Sequence, residues 1–421
     1  MRKILIINIF IVLILPLQAQ ETIRLVDCLQ QAELVYPGMK ANSFYEQMKD
    51  LKQQLNKLKW GPQLNLNAQA TYQSDVTSID LSALPFPVDV PSPTNDQYKA
   101  TLDINQLLWN GGALKKMQEL TRLELSLNNQ STMVELFAYK ENICNIYLSV
   151  SLLQQQEKII ELSKEILHEQ LKKLLSGVEH GIVLQSQADI LKSEIIKLEQ
   201  SEIELSNQEK SLIESLEILC GISMDQSNRF DDYYLPLFAG ISGRPEIYKF
   251  NLQQAVVEKN AELISKRKMP KLYAFGQAGY GRPGLNFLNN EFEPFYLVGA
   301  VLNWNIWDWN QNRYERESVL LQKQLIETRK ATFNQGNELA LGREKNNLAM
   351  YKDLIAKNME LIELREKISK TVAKQLSEGV ITASEYLLEF NAEKMARLKL
   401  EINKIKERQA EIKQEILLGN L

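Results

Sequence analysis

Cysteine and histidine are both scarce in this chain. Among its 421 residues there are three cysteines and two histidines. Because Cys28, Cys144 and Cys220 are an odd number and widely spaced, we expect small buried apolar residues rather than a disulfide framework. The sequence also has neither a Gly-x-x-x-x-Gly-Lys loop nor a His-Glu-x-x-His pair. We therefore expect no enzymatic activity, no cofactor and no bound metal.

Long apolar runs and basic tracts are also missing from most of the sequence. Beyond residue 20 there is no run of about 18 apolar residues, so no transmembrane helix is expected there. The formal charge is −4, and it becomes more negative by two units without Arg2 and Lys3. Nucleic acid is consequently not an expected partner.

Residues 1–19 are interpreted as a secretory signal peptide. Arg2 and Lys3 precede an apolar run over 4–15, and a small-residue site follows near Ala19. This layout is typical of secretory signals, and the run is too short to cross a bilayer as a helix. We therefore expect an exported protein.

The rest of the chain contains an internal repeat. At one constant offset, four residues of the first copy recur in the second: Pro37 as Pro245, Pro62 as Pro270, Leu64 as Leu272, and Tyr72 as Tyr280. At an offset ten residues shorter, four more recur: Tyr98 as Tyr296, Trp109 as Trp307, Gly181 as Gly379, and Gly221 as Gly419. One structural unit is therefore written twice. We expect a first repeat over 20–222, an ordered inter-repeat strap over 223–244 and a second repeat over 245–421.

Four segments alternate apolar and polar residues with a period of two, which predicts β-strands with one apolar and one polar face. The apolar rows of the first copy are Leu64, Leu66, Ala68, Ala70 and Tyr72, then Tyr98, Ala100, Leu102 and Ile104. Those of the second copy are Leu272, Ala274, Gly276, Ala278 and Tyr280, then Tyr296, Val298, Ala300, Leu302 and Trp304. A strand of about 11 residues tilted by roughly 45° rises about 25 Å, which matches the apolar band of an outer-membrane barrel.

Aromatic residues cluster at both ends of these strands. Tyrosines mark one end: Tyr72, Tyr98, Tyr280 and Tyr296. Tryptophans mark the other: Trp60, Trp109, Trp304, Trp307 and Trp309. Two aromatic girdles are typical of a barrel that crosses both lipid–water interfaces. The alternative is an ordinary β-sandwich, in which the apolar faces pack against protein.

Each copy also predicts one very long helix and an antiparallel return. Residues 113–176 contain neither glycine nor proline, and leucine or isoleucine recurs every seven residues there and after the Gly181 turn. We interpret these residues as helix-packing positions of a left-handed supercoil. The long hairpins are predicted over 113–180 with 182–220, and over 310–378 with 380–418. Shorter helices are predicted over 27–59 and 246–268.

Four strands cannot close a membrane barrel, since the smallest ones have eight. An open sheet edge is not tolerated in lipid, so the protein is expected to oligomerise. Strand number alone allows a dimer or a trimer. A lumen continued by helices about 100 Å long favours the trimer.

In its ordered and duplicated motifs the chain resembles the TolC family of outer-membrane efflux proteins over essentially the whole mature sequence. The motifs are Pro37, Arg244-Pro245-Glu246, Pro62-x-Leu64, Pro270-x-Leu272, Leu108-Trp109-Asn110-Gly111-Gly112, Gly181-Ile182, Gly379-Val380, and the closing Leu-x-Gly at Gly221 and Gly419. The second copy departs from the family's aromatic-Asp-Gly-Gly pattern. It has Trp307-Asp308-Trp309-Asn310, so its strand-to-helix turn is expected to differ.

The resemblance implies a mixed α and β membrane protein of a Gram-negative outer membrane. Four strands per protomer would contribute to a trimeric 12-stranded barrel, continued by a long antiparallel α-helical tunnel through the periplasm. It implies the exit duct of a tripartite efflux or type I secretion system. Its partners would be two further copies, the lipid bilayer, a periplasmic adaptor and an inner-membrane transporter. The alternatives are a stand-alone porin and a structural periplasmic coiled-coil protein.

The resemblance also implies a tunnel constriction near the second hairpin tip. In the family, acidic residues six and nine positions after the tip glycine, here Gly379, form this constriction. Here the sixth residue is Glu385, and Leu388 is the ninth with Glu389 next. Gln187 holds the position of Glu385 in the first copy. Three copies of Glu385 would form an acidic ring. Thr382-x-x-Glu385 is also a capping-box sequence, in which the carboxylate only satisfies backbone donors.

The two tip turns are the expected docking points for the adaptor. The residues that the resemblance assigns to them are Gly181, Ile182, Gly379, Val380 and Thr382.

Overall fold

The computed structural model describes residues 22–77, 92–232, 243–287 and 289–421. The expected signal peptide, most of the proline-containing loop between the first two predicted strands and the middle of the inter-repeat strap lie outside these residues. The chain divides into two compact units. The helical unit comprises Met1–Met39, Glu135–Arg244 and Gln335–Leu421, and the sheet unit comprises Lys40–Val134 and Pro245–Asn334.

Both copies contain the expected elements in the same order. The first copy contains β1 Thr22–Arg24, α1 Leu25–Val35, α2 Met39–Leu58, β2 Gln63–Tyr72, β3 Asp96–Trp109, α3 Ala113–Glu179 and α4 Gln185–Cys220, with β4 Arg229–Asp232 after it. The second contains α5 Pro245–Lys266, β5 Lys271–Arg282, β6 Glu293–Asn303, α6 Gln311–Ser377 and α7 Ala383–Leu418. The helices α3 and α6 have 67 residues each, or about 100 Å of helix.

The helix predicted over 27–59 is in fact two helices. The first, α1, ends at Val35, and α2 begins at Met39. Pro37 causes the break, because a residue before proline is driven out of the helical region, and Tyr36 has φ −57° and ψ 115°. The small parallel pair of β1 and β4 was not predicted either. With three and four residues, these strands are too short to show alternation.

The sheet unit contains one antiparallel sheet with the strand order β2-β3-β5-β6. Residues directly opposite each other share a face, and the register aligns Leu66 with Leu102, Leu102 with Ala278, and Ala278 with Tyr296. The four predicted apolar rows therefore form one continuous face. That face is uncovered in the single chain, since Leu66 is 78% and Tyr296 77% exposed.

Two apolar clusters form the core of the helical unit. One joins α1 to the middle of α3 and the ends of α4 and α7, and it contains all three cysteines as buried free thiols, as expected. The other lies toward the hairpin tips and contains the heptad residues Ile160, Leu167, Leu174, Leu191 and Leu198. The helix-packing interpretation of these residues is confirmed.

The heptad interpretation is wrong for Leu184, which is 70% exposed. Both returning helices start three residues later than predicted, because the residues after each tip glycine are extended. Leu184 and Thr382 have ψ 141° and 159° and stand just before α4 and α7. No helix within the described residues is long and apolar enough to cross a membrane.

Candidate functional site

The first hairpin turns at Gly181. The backbone of this glycine has φ +71°, which lies in the left-handed region. Residues with a side chain adopt that region only with strain. The backbone N–H of Ile182 donates to the carbonyl of Gly177 at 2.9 Å, and that of Gly181 donates to Val178 at 3.0 Å. This pair of bonds defines a Schellman motif, which satisfies the last carbonyls of α3.

The second hairpin turns in the same way at Gly379, which has φ +72°. The N–H of Val380 donates to Gln375 at 2.9 Å, and that of Gly379 donates to Leu376 at 3.1 Å. The residue after each glycine is apolar and exposed, with Ile182 at 75% and Val380 at 66%. The repeat thus presents two equivalent apolar side chains, one at each tip.

The helix that follows each tip is capped differently. At the second tip the Thr382 hydroxyl oxygen accepts from the Glu385 N–H at 3.2 Å, and the Thr382 N–H donates to Glu385 Oε2 at 2.8 Å. This is a complete capping box. The hydrogen bonds from the Thr382 backbone and hydroxyl lower the pKa of Glu385 and keep it charged. At the first tip the equivalent residue is Leu184, which has no capping side chain.

Gln187 also lies at the start of α7. Its Oε1 accepts from the Ala383 N–H at 2.6 Å, so the first tip supplies an acceptor to the helix of the second. The structure therefore brings Gln187 and Glu385 together at one helix N-terminus. Glu389 is held elsewhere, because its Oε2 accepts from Arg365 Nη1 of α6 at 2.6 Å.

Several polar contacts near the tips were missed by sequence reasoning. Glu194 Oε1 accepts from Asn391 Nδ2 at 3.2 Å and lies 3.7 Å from Lys394 Nζ. Burial lowers the pKa of Lys394. Arg397 forms ion pairs with Glu366 and Glu393. Most of these contacts join different helices, so no spacing within the sequence reveals them.

An aromatic pair lies below the second tip. Tyr386 is fully buried, and its ring stacks on Phe390 with the centroids 5.8 Å apart. Burial raises the pKa of the Tyr386 hydroxyl. Within the described residues this hydroxyl has no hydrogen-bond partner.

In the sheet unit, the polar face carries a hydrogen-bonded carboxylate. Asp103 accepts from Gln277 Nε2 at 2.6 Å, Asn67 Nδ2 at 2.5 Å and Thr101 Oγ1 at 3.0 Å. These donors belong to β5, β2 and β3, so the Asp103 carboxylate forms hydrogen bonds with side chains of three neighbouring strands. Polar side chains predicted from alternation in the first copy are thus connected to each other and, through Gln277, to the second copy.

The predicted girdle residues lie at the ends of the strands and are exposed in the single chain. The tyrosine set is Tyr72 at 80%, Tyr98 at 43%, Tyr280 at 54% and Tyr296 at 77%. The tryptophan set is Trp60 at 39%, Trp109 at 45%, Trp304 at 53% and Trp307 at 70%.

The strand-to-helix connections of the two copies share a positive φ at the two residues just before the long helix. Gly111 and Gly112 have φ +66° and +83°, and their counterparts Trp309 and Asn310 have φ +51° and +63°. Asparagine tolerates this region, and tryptophan adopts it with strain. Strand β3 runs to Trp109, with three residues between it and α3, whereas β6 ends at Asn303 and residues 304–310 connect it to α6, so the second connection differs from the first as expected.

No group of three or more potential metal-ligating side chains occurs in the part of the chain that the structure describes. Among the described residues, the sheet unit has a four-stranded antiparallel sheet with an uncovered apolar face and two free edges, β2 and β6. The long helices form two antiparallel hairpins with matched tips.

Long antiparallel helices with a four-stranded antiparallel sheet form the TolC-like fold, as expected for one protomer. The chain is similar in structure to CusC, with a TM-score of 0.73 and 13% identity over 94% of this chain and 92% of CusC. It is also similar to VceC from Vibrio cholerae, with a TM-score of 0.70 and 14% identity over 94% of this chain and 96% of VceC. A third similar structure is the open state of the MtrE channel from Neisseria gonorrhoeae. It has a TM-score of 0.64 and 13% identity, over 94% of this chain and 89% of MtrE.

No protein-family model matches the chain, and no curated protein sequence matches it either. Six of the solved structures that match have identities of 12–14% to this chain, and they establish its fold.

Proposed function

We propose that this protein is one protomer of an outer-membrane exit duct for exported molecules. The observation that carries the proposal is the uncovered apolar face of the sheet. Burying such a face in lipid requires the free edges β2 and β6 to be paired, because unpaired backbone groups are not tolerated in the bilayer. Three copies would close a barrel of twelve strands, with the Asp103 face toward a water-filled lumen.

The hairpins supply the other half of the duct. The residues Ile182 and Val380 project from equivalent turns and fit a role as apolar contacts for a periplasmic adaptor. Glu385 would then stand near the mouth as an acidic ring of three, with Gln187 beside it. An inner-membrane transporter would deliver the substrate, either in tripartite efflux or in type I secretion.

Cell fractionation tests this proposal. The full-length protein, expressed in a Gram-negative host, is expected in the outer-membrane fraction and released only by detergent. A protein that is released as a soluble periplasmic species without detergent would overturn the proposal and favour a structural coiled-coil protein. Co-purification with an adaptor encoded beside its gene tests the partner. A protein that inserts into the outer membrane but associates with no adaptor would favour a stand-alone porin.

A further inference from the structure

Two of the three cysteines meet inside the helical unit. Cys28 lies on α1 and Cys220 is the last residue of α4, and both side chains are fully buried in one apolar cluster. Their thiols are free in the structure and are hydrogen-bonded to each other. This hydrogen bond, together with burial, raises the pKa of the Cys28 thiol. The fold thus brings together two sulfur atoms from opposite ends of the first repeat.

Contacts of the backbone hold both cysteines in place. Strand β1, which precedes α1, pairs with β4, which follows α4. The Tyr147 hydroxyl of α3 donates to the Ile23 carbonyl, close to the start of α1, at 2.6 Å. The Tyr139 hydroxyl donates to the Leu219 carbonyl, next to Cys220, at 2.8 Å. The meeting of the two thiols therefore follows from the packing of the elements that carry them.

Cys144 is the third thiol of the same cluster, and its surroundings differ. It is 1% exposed, and burial raises its pKa to about 12. Among the described residues, the Cys144 thiol forms no hydrogen bond with another thiol. It packs as a small apolar side chain of α3. The odd number of cysteines thus resolves into one adjacent pair and one single thiol.

We propose that Cys28 and Cys220 form a disulfide bond when the protein is exported, and that Cys144 stays a free thiol. The inference rests on the proposed function, which places the chain in the oxidising environment outside the inner membrane. The bond closes the first repeat covalently from residue 28 to residue 220. The second repeat has no equivalent, because it contains no cysteine.

The oxidant is a protein disulfide of the periplasmic thiol-oxidoreductase class. One cysteine thiolate attacks that disulfide, so that a mixed disulfide forms and one sulfur of the oxidant leaves as a thiolate. The other cysteine then attacks the mixed disulfide. The bond between Cys28 and Cys220 forms, and the oxidant leaves as a dithiol with two electrons and two protons. This exchange precedes the packing of α1, because both sulfurs are fully buried in the folded chain.

Counting free thiols in the full-length protein from outer membranes tests the pair. Cells are quenched with acid, and the protein is denatured in the presence of a polyethylene-glycol maleimide, which adds a fixed mass for each free thiol. The wild type is expected to take up one label without reduction and three after reduction. Mass spectrometry of the unreduced, proteolysed protein is expected to show the peptide of Cys28 joined to that of Cys220.

Three single substitutions serve as matched variants. Without reduction, Cys144→Ala is expected to take up no label, whereas Cys28→Ala and Cys220→Ala are expected to take up two labels each. The wild-type count stands by itself if a variant fails to fold.

Two results would overturn the inference and leave the duct intact. They are three free thiols in the wild-type protein of the outer membrane, and a disulfide that includes Cys144. A wild-type protein that is found only in the cytoplasm would overturn the proposed function, and this inference with it.

Discussion

At the scale of single residues, the repeat has diverged most clearly at its tips. Glu385 and Thr382 close a capping box, while their counterparts Gln187 and Leu184 do not. Gln187 instead reaches the N-terminus of α7 through Ala383. Helix α7 therefore receives acceptors from both tips, Gln187 at the Ala383 N–H and Glu385 at the Thr382 N–H.

Glu385→Gln separates the carboxylate charge from the cap. Glutamine also completes a capping box, so we expect the thermal stability to stay close to that of the wild type. In planar bilayers, block of the channel by a multivalent cation is expected to weaken, because the acidic ring loses its charge. Thr382→Ala is the converse control, with a loss of about 1 kcal/mol in unfolding free energy and the cation block retained. If Glu385→Gln shows the same cation block as the wild type, Glu385 serves only as a helix cap.

Tyr386→Phe is expected to stabilise the helical unit. The buried hydroxyl of Tyr386 has no partner among the described residues, so removing it relieves a desolvation cost on the order of 1 kcal/mol. Tyr147→Phe is the matched control. Tyr147 is equally buried, but its hydroxyl donates to the Ile23 carbonyl at 2.6 Å, so its loss is expected to destabilise by a similar amount. Chemical denaturation measures both, and a destabilised Tyr386→Phe would refute this assignment.

Local patterns explain which of these residues were predictable. The Thr-x-x-Glu spacing identified the Glu385 cap because both partners belong to one turn of helix. The Arg365–Glu389 and Glu194–Lys394 pairs escaped prediction because each joins two helices that are distant in sequence. The role of Gln187 at Ala383 was hidden for the same reason.

At the scale of elements, periodicity over long segments was reliable. The four strands lie where alternation predicts them, and α3 and α4 contain the heptad residues, because those patterns persist over ten or more residues. The repeat predicts α6 and α7, and both returning helices begin three residues later than expected. The break between α1 and α2 was missed although Pro37 marks it, since the apolar spacing continues on both sides. The strands β1 and β4 are too short to carry any period.

One contact between elements is expected to make stability depend on pH. Glu157 of α3 faces Glu209 and Glu202 of α4, and burial together with the Glu209 charge raises its pKa to about 7. Lys164 is the cation on this face, and it pairs with Glu202 at 2.5 Å. Glu209 is only 2% exposed and accepts from Gln154 Nε2 at 2.8 Å.

The folded state thus holds the Glu157 proton more tightly than the unfolded chain, whose carboxyl titrates near the ordinary value of 4.5. The contribution of Glu157 to stability is expected to be fully present below about pH 4.5, to fall between pH 4.5 and 7, and to be lost above that. The loss is on the order of 1 kcal/mol, because solvent screens a partly buried group. Glu157→Gln is expected to flatten the profile, and Glu165→Gln, at an exposed site on the same helix, to leave it unchanged. A pH-dependent loss retained in Glu157→Gln would contradict this account.

At the level of the whole molecule, one chain leaves the apolar face of its sheet and the edges of β2 and β6 uncovered among the described residues. Sequence reasoning predicted the need for an oligomer from the strand number. It did not predict the exposed apolar residues of α2, such as Leu51 and Leu55, because apolar spacing does not reveal whether a partner lies in the same chain or in another.

The proposed duct requires that copies of this chain close a barrel. Electron microscopy of the detergent-extracted, full-length protein tests it most directly. We predict particles with three-fold symmetry, in which twelve strands form a closed barrel continued by a ring of helices. Monomeric particles with an open four-stranded sheet would contradict the account.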